Sequence, residues 1–350
     1  KGLAYFMRPR WKGPLRHLAR SLIRWRLQKD LTGLESIADF QGWISTYVEK
    51  ILNKTTTSLT ILGLDKLDND KSYIWLSNHR DIALDPTLVN YALHISNHPT
   101  GRIAIGDNLL TNPVVGDLMR LNKSFIVKRS ITAKREKFSA LQLLSKYIRH
   151  SIEEGHSIWI AQQEGRAKDG IDSTDTAVLK MLSLAGRENK EPFSVTLQGL
   201  NPVPVSISYE FDPCDVLKAR ELAAINSGQV YHKSENEDVE SIVTGLMGHK
   251  GRVQVSFGAE ITAELFANAE TLAIEIDRQI VAGYACYPIN YAAHKLLSDQ
   301  GIIKALDHYE EYDIDAGLIT LLARCKGESE AVKQQLYSMY AQPIIRKQAL

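Results

Sequence analysis

Residues 73–86 have the sequence YIWLSNHRDIALDP, in which an apolar run passes into a polar turn and then a proline. The run at 73–77 predicts a short buried strand, because unbroken apolar stretches are typical of strands covered on both faces. Pro86 favours the first turn of a helix near 86–97. Strand, turn and helix in direct succession indicate the start of an α/β unit.

The rest of the chain repeats this alternation of short apolar runs and longer helical patterns. Six further runs predict strands at 58–62, 102–105, 124–128, 157–161, 203–209 and 252–257. Helical spacing is found near 34–53, 131–153 and 175–186, and from about residue 261 onward. Such alternation predicts an α/β fold with a largely parallel sheet flanked by helices.

We therefore expect three regions along the chain. Residues 1–56 would form a pair of N-terminal amphipathic helices, 57–260 the α/β domain, and 261–350 a helical C-terminal region. Charge separates the first region from the others, since residues 1–30 carry about +8 and the remaining 320 residues sum to about −7. The N-terminus is thus a separate electrostatic unit.

A basic amphipathic helix is predicted directly after Gly13-Pro14. Leucines 15, 18 and 22 recur at helical spacing beside a row of arginines. A helix of this kind can lie in the headgroup layer, with its apolar side buried and its arginines on anionic phosphates. The alternative is that the apolar side packs on the protein. Nucleic-acid binding is disfavoured, because no nucleic-acid module follows and the rest of the chain is acidic.

Composition excludes several classes of protein. Hydrophobic residues make up 44% of the chain, enough for a substantial core. Three scattered cysteines support neither a disulfide framework nor a zinc cluster, which fits a reducing, cytoplasmic location. No window of 18 uncharged apolar residues predicts a membrane span. The histidines show no metal-binding spacing, so we expect neither a metal nor a resident cofactor.

The first candidate site is the polar turn after the 73–77 strand. Asn78, His79, Arg80, Asp81 and Asp85 fall within eight residues, at a strand end where ligands bind in open α/β sheets. An imidazole that titrates near neutrality, with a carboxylate to orient it, suits general-base catalysis. Asp85 has a second interpretation, since aspartate before proline is also a favoured helix cap.

Two more polar turns follow predicted strands. Lys128 and Arg129 end the strand that begins at residue 124, and arginine offers a planar fork for phosphate. Glu164, Gly165 and Arg166 follow the 157–161 strand, where glycine permits a tight turn. Each turn alone is also compatible with a solvated strand end.

Taken in order, these turns resemble the four sequence blocks of the glycerolipid acyltransferases, which include lysophosphatidic acid and glycerol-3-phosphate acyltransferases. The family's first block, Asn-His followed by Asp, is similar to residues 78–85, and its second block, a strand ending in Arg, is similar to 125–129. The third block, Pro-Glu-Gly-Thr-Arg, is similar to 163–166, and the fourth, a Val-Pro-Val strand, is similar to 203–207. The resemblance spans roughly residues 70–210 and implies transfer of a fatty acyl group from a thioester to a hydroxyl.

Two departures from the family pattern affect the expected site. The family places four residues between His and Asp, whereas Asp85 follows His79 after five, and the third block lacks its Thr. We expect Asp85 to orient His79, with Asp81 in reserve.

The resemblance also implies a set of substrate contacts. It implies substrate binding by the residues that accompany the catalytic pair in the three turns, Asn78, Arg80, Lys128, Arg129, Glu164, Gly165 and Arg166.

The expected protein is therefore a peripheral enzyme on the inner face of the membrane, with acyl-CoA or acyl carrier protein as donor. 1-Acylglycerol-3-phosphate is the default acceptor; glycerol-3-phosphate and a lyso-aminolipid remain open, as does the oligomeric state. A serine hydrolase is disfavoured, because the sequence contains no G-x-S-x-G elbow. A non-catalytic lipid-binding protein with the same fold stays as the alternative from another class.

Overall fold

The computed structural model describes residues 29–350 except 31, 108–115, 117–118 and 232–236. The basic amphipathic helix predicted after Gly13-Pro14 lies outside the described residues. The second helix of the predicted pair is present as α1 (Ile37–Thr55). It begins at a capping box, in which the side chains of Ser36 and Asp39 satisfy each other's backbone amides.

The strands that the structure describes form one seven-stranded sheet at the predicted positions, with ends that differ by at most two residues. In chain order they are β1 (Thr56–Leu62), β2 (Ile74–Ser77), β3 (Arg102–Gly106), β4 (Ser124–Val127), β5 (Ile158–Ala161), β6 (Pro202–Tyr209) and β7 (Gly251–Phe257). Their order across the sheet is β1-β7-β6-β2-β5-β3-β4. All neighbouring pairs are parallel except β6 and β7, which run antiparallel.

The remaining helices connect or follow these strands. They are α2 (Leu84–Ile95), α3 (Lys134–Glu153), α4 (Thr176–Leu182), α5 (Phe193–Gln198), α6 (Asp215–Asn226), α7 (Glu237–Met247), α8 (Ala269–Ala282), α9 (Pro288–Asp299), α10 (Ile314–Arg324) and α11 (Glu330–Gln348). The predicted α/β fold with a largely parallel, helix-flanked sheet is confirmed. No described helix has both the length and the apolar character needed to cross a membrane.

Both faces of the sheet are buried, and β2 shows why. Ile74 and Leu76 point into a core that includes residues of α3, α4 and α8. Tyr73 and Trp75 point to the opposite side, into a core shared with α2. Because alternate residues of a strand face opposite sides, a strand at the centre of a covered sheet must be apolar throughout.

The C-terminal residues divide between two packing units. Helix α8 adds Leu272, Ile276 and Ile280 to the core of the sheet. The later helices α9, α10 and α11 pack with α6 in a third apolar cluster, which includes Leu297, Leu321 and Leu336 among others. The division of the chain at residues 57 and 261 stays a prediction.

Candidate active site

The turn between β2 and α2 brings His79 onto Asp85. His79 Nδ1 lies 2.8 Å from Asp85 Oδ2, with the carboxylate fully buried and 14% of the imidazole side chain exposed. Nε2 has no hydrogen-bond partner among the described residues. The indole of Trp159 packs edge-on against the imidazole at 5.6 Å between ring centroids. With Nδ1–H donated to Asp85, Nε2 carries the lone pair that can accept a proton.

Asp85 is held as a carboxylate by four donors. Its Oδ2 also accepts from the backbone amides of Arg80 at 2.6 Å and Asp81 at 2.8 Å. Its Oδ1 accepts from the Tyr209 hydroxyl at 2.6 Å. Burial alone would raise the pKa of Asp85, but hydrogen bonds from His79, Tyr209 and the Asp81 amide lower that pKa below its ordinary value. The imidazole therefore has an ionised partner.

Asp81 lies at the start of the helix instead. Its Oδ1 accepts from the amides of Ala83 at 3.0 Å and Leu84 at 2.8 Å, where α2 begins. Burial, together with the nearby charge of Asp85, raises the pKa of Asp81 to about 6. The structure thus divides the two carboxylates: Asp85 contacts the imidazole, and Asp81 satisfies amides at the helix N-terminus.

The additional residue between His79 and Asp85 is accommodated within this turn. Asp85 lies in the first turn of α2 and reaches back to the amides of residues 80 and 81, which closes the segment into a compact ring. The imidazole and the carboxylate meet within that ring. The cap interpretation of Asp85 does not match its contacts, because the amides that it binds precede the helix.

The side chain of Asn78 is buried, and its described hydrogen bonds are to the backbone of β6 and to Asp172. Its Oδ1 accepts from the amide of Ile207 at 2.8 Å, and its Nδ2 donates to the carbonyl of Ile207 at 3.0 Å and to Asp172 at 3.1 Å. The side chain therefore joins the end of β2 to β6. Contact with a substrate stays a prediction for this residue.

Arg80 is mostly buried and forms an ion pair with Asp172, and contact with a substrate stays a prediction for this residue. Its guanidinium donates to Asp172 Oδ2 at 2.6 Å, and the hydroxyl of Tyr284 donates to the same oxygen at 2.5 Å. Although burial lowers the pKa of Arg80, the charge of Asp172, the neighbouring Tyr284 and the hydrogen bond to Asp172 together raise that pKa above its ordinary value. Through this group the catalytic turn is attached to the C-terminal region.

The second and third turns supply cations at the same edge of the sheet. Arg129 Nε lies 3.8 Å from Glu164 Oε1, and both side chains are exposed. Lys128 and Arg166 have no hydrogen bond or ion pair among the described residues. Gly165 adopts a φ of +84°, the left-handed conformation that favours glycine. The amide of Ala167 donates to the carbonyl of His79 at 2.8 Å, so the third turn adjoins the first.

Sequence reasoning missed three residues of this site, namely Tyr209, Asp172 and Tyr284. Tyr209 carried a signal, since it shares the alternation of Val203, Val205 and Ile207 along β6 and so faces α2. Asp172 and Tyr284 carried none, because they meet Arg80 only in the fold. Within the described part of the chain, no group of three or more His, Cys, Asp or Glu could hold a metal ion.

The α/β sheet thus presents a histidine–aspartate pair and exposed cations at its strand ends, as the resemblance to the acyltransferases implies. Residues 58–185, a little over a third of the chain, match the family model described as Acyltransferase. The match identifies an acyltransferase domain over these residues, and it agrees with the resemblance read from the first three blocks, which lie within it.

Two further comparisons were made. No curated protein matches the chain in sequence. Among solved structures, one match is the crystal structure of the 1-acyl-sn-glycerophosphate (LPA) acyltransferase PlsC from Thermotoga maritima. It is 14% identical with a TM-score of 0.39, over 73% of this chain and 83% of that chain.

Proposed function

We propose that this acyltransferase moves a fatty acyl group from acyl-CoA or acyl carrier protein to the hydroxyl of a lysoglycerophospholipid such as 1-acylglycerol-3-phosphate. The observation that carries the proposal is the state of His79. Its Nδ1 is bonded to a buried carboxylate while Nε2 has no partner among the described residues. A general base needs this arrangement, in which one nitrogen is oriented and the other is ready to accept a proton.

The reaction proceeds by direct transfer. His79 Nε2 takes the proton of the acceptor hydroxyl as its oxygen attacks the thioester carbonyl carbon. The tetrahedral intermediate then collapses, the carbon–sulfur bond breaks, and the imidazolium returns the proton to the leaving thiolate. Asp85 stabilises the imidazolium between the two steps. General-base catalysis of this kind contributes about 10²–10⁴-fold to the rate.

The cations of the second and third turns suit the phosphate of the acceptor. Arg129 and Arg166 offer planar forks that match phosphate oxygens, and Lys128 adds a point charge. Arg129 has only the exposed Glu164 as an ionic partner, at 3.8 Å, so an incoming phosphate has a weak competitor.

The proposed place of action is the inner face of a membrane, with the protein bound peripherally. The support is the charge of residues 1–30, about +8, together with the leucine row of the predicted helix. Each cation near an anionic surface contributes about 1 kcal/mol of binding free energy.

The test is turnover by the purified protein with a thioester donor and a pool of acceptors. The pool contains 1-acylglycerol-3-phosphate, glycerol-3-phosphate, a lyso-aminolipid and the neutral monoacylglycerol. Mass spectrometry identifies the acylated product, and a thiol reagent follows release of the leaving group. We expect the phosphate-bearing lysolipid to be acylated with one thiol released per product. Saturable lipid binding without thiol release would instead establish a non-catalytic lipid-binding protein.

The same assay tests the phosphate contacts. We expect Arg129→Ala and Arg166→Ala to raise KM for 1-acylglycerol-3-phosphate about tenfold, and to leave KM for monoacylglycerol unchanged. Lys304→Ala is the matched control, since Lys304 is an exposed cation of the C-terminal region. Equal effects on both acceptors would exclude phosphate recognition by these arginines.

A further inference from the structure

Strand β6 continues past the end of its neighbour β2. The two strands pair in parallel up to Ser77, which lies opposite Val205. Beyond this point the side chain of Asn78 takes the place of a strand, because it binds both the amide and the carbonyl of Ile207. The amide and carbonyl of Ile207 are thereby satisfied, and antiparallel pairing with β7 keeps the strand extended to Tyr209.

Alternation along β6 then decides where Tyr209 points. Val203, Val205 and Ile207 face the apolar core on the α2 side of the sheet, and Tyr209 packs against the same core. Its hydroxyl reaches past the apolar residues to Asp85 Oδ1 at 2.6 Å. A tyrosine is suited to such a position, because its ring fills the core while its hydroxyl bonds a polar group.

The hydroxyl of Tyr209 is the one described partner of Asp85 Oδ1. The other carboxylate oxygen holds His79 and two backbone amides. Because Asp85 is fully buried, Oδ1 would have no substitute donor if the hydroxyl were removed. A buried carboxylate oxygen without a partner is costly, so the carboxylate would rotate or take up a proton. Either change weakens its hold on His79.

We infer that Tyr209 is a positioning residue of the acyl transfer, fixing the Asp85 carboxylate in the orientation that keeps His79 Nε2 available as the base. This inference rests on the proposed function. Tyr209 itself acts through Asp85 and makes no described contact with His79.

The test is Tyr209→Phe, compared with Tyr340→Phe as the matched control. Tyr340 also donates at 2.6 Å to a buried carboxylate, that of Asp215, but it lies in α11. Tyr340 is buried, and Tyr209 is partly buried. We expect Tyr209→Phe to lower kcat on the order of tenfold with KM unchanged for both substrates. Tyr340→Phe should lose a similar amount of stability with kcat unchanged. Equal kcat values for Tyr209→Phe and the wild type would overturn the inference while the proposed function stands.

A second readout does not depend on turnover. The Nδ1 proton of His79 gives an NMR signal when it is held in a hydrogen bond, and His79→Gln assigns it. We expect this signal to move or broaden in Tyr209→Phe and to stay unchanged in Tyr340→Phe. An unchanged signal in Tyr209→Phe overturns the inference, even if the wild type shows no acyl transfer.

If Tyr209→Phe does not fold, Tyr209→3-fluorotyrosine supplies the same test. It keeps the ring and the hydroxyl but makes the hydroxyl a stronger donor, so the His79 Nδ1 signal should shift. No shift would count against the inference.

Discussion

Two groups in this molecule are built from the same parts. At the edge of the sheet, Asp85 accepts from the hydroxyl of Tyr209 at 2.6 Å and from His79 at 2.8 Å. Among the C-terminal helices, Asp215 accepts from Tyr340 at 2.6 Å and from Arg324 at 2.5 Å. Each group contains a buried carboxylate, a buried or partly buried tyrosine and a basic side chain.

The basic side chains differ in what they can do. The guanidinium of Arg324 is permanently charged and has no lone pair to accept a proton, so its ion pair with Asp215 can only bind and orient. The imidazole of His79 can exist with a lone pair on one nitrogen, and Nε2 has no described partner. A tyrosine–carboxylate pair thus indicates structure or catalysis according to the base that it holds.

The largest effect expected is that of His79→Ala. Removing the imidazole should lower kcat about 10²–10⁴-fold, because the acceptor hydroxyl then has no base. Asp85 keeps three donors, so the folded state should persist. Thiol release and circular dichroism measure the two outcomes. Full activity in a folded His79→Ala protein would show that His79 is not the general base, and the contrast with the Asp215 group would no longer hold.

Arg324→Ala tests the structural side. It leaves Asp215 buried with one ionic partner fewer, which should lower the free energy of unfolding by about 3–5 kcal/mol. The fraction that remains folded should keep the wild-type KM. Urea unfolding, followed by fluorescence, measures the loss in free energy of unfolding. A large fall in kcat without loss of stability would show that the Asp215 group, like the Asp85 group, acts in turnover.

Asp81→Asn separates the two aspartates of the catalytic turn by their pH dependence. The pKa of Asp81 in the folded protein, about 6, is above its ordinary value of 3.8, so the folded chain binds more protons than the unfolded chain between these values. Stability from this group is present below about pH 4 and lost as the pH rises through 6.

The free energy of unfolding of the wild type should therefore fall, relative to Asp81→Asn, by about 2 kcal/mol between pH 4 and pH 7. The measurement is a set of urea titrations across this range. Asn keeps an oxygen for the amides of Ala83 and Leu84, so kcat should change little. A constant difference between the two proteins at all pH values would contradict the assignment.

The smallest effect expected is that of Gly245→Ala in α7, beside the catalytic turn. A Cβ at this position would lie 1.9 Å from Asp81 Oδ2, so the helix or the turn must shift. Overpacking of this kind typically costs about 1–3 kcal/mol. Gly42→Ala is the control, because a Cβ there meets nothing within 4 Å in α1 and should stabilise the helix by about 0.5–1 kcal/mol. The thermal unfolding temperatures of the two variants, compared with that of the wild type, measure these changes in stability.

Local sequence was sufficient for the strands and for the pairing of His79 with Asp85. The buried runs of β2 and β5 contain almost no polar residue, and a strand covered on both faces leaves this pattern whatever its neighbours are. His79 and Asp85 are close in the chain, so their meeting depends on one turn. The antiparallel direction of β7 left no such mark, because a strand shows the same pattern in either direction.

Long-range contacts account for what the sequence did not reveal. The ion pair of Arg80 was not foreseen, because its partner Asp172 lies 92 residues along the chain. Tyr209 is 124 residues from the carboxylate that it binds. The alternation along β6 gives the face on which Tyr209 lies, but neither pairing can be read from the sequence, because each arises only when β6 and the turn after β5 lie beside β2.

The ring closed by Asp85 has a practical consequence for finding other chains of this kind. Because the carboxylate binds back to the amides of residues 80 and 81, the loop can lengthen by one residue while the imidazole keeps its partner. A pattern search that demands four residues between histidine and aspartate would pass over this chain. A search that allows five, and asks for an aromatic hydroxyl at the end of the Val-Pro-Val strand, would retrieve it.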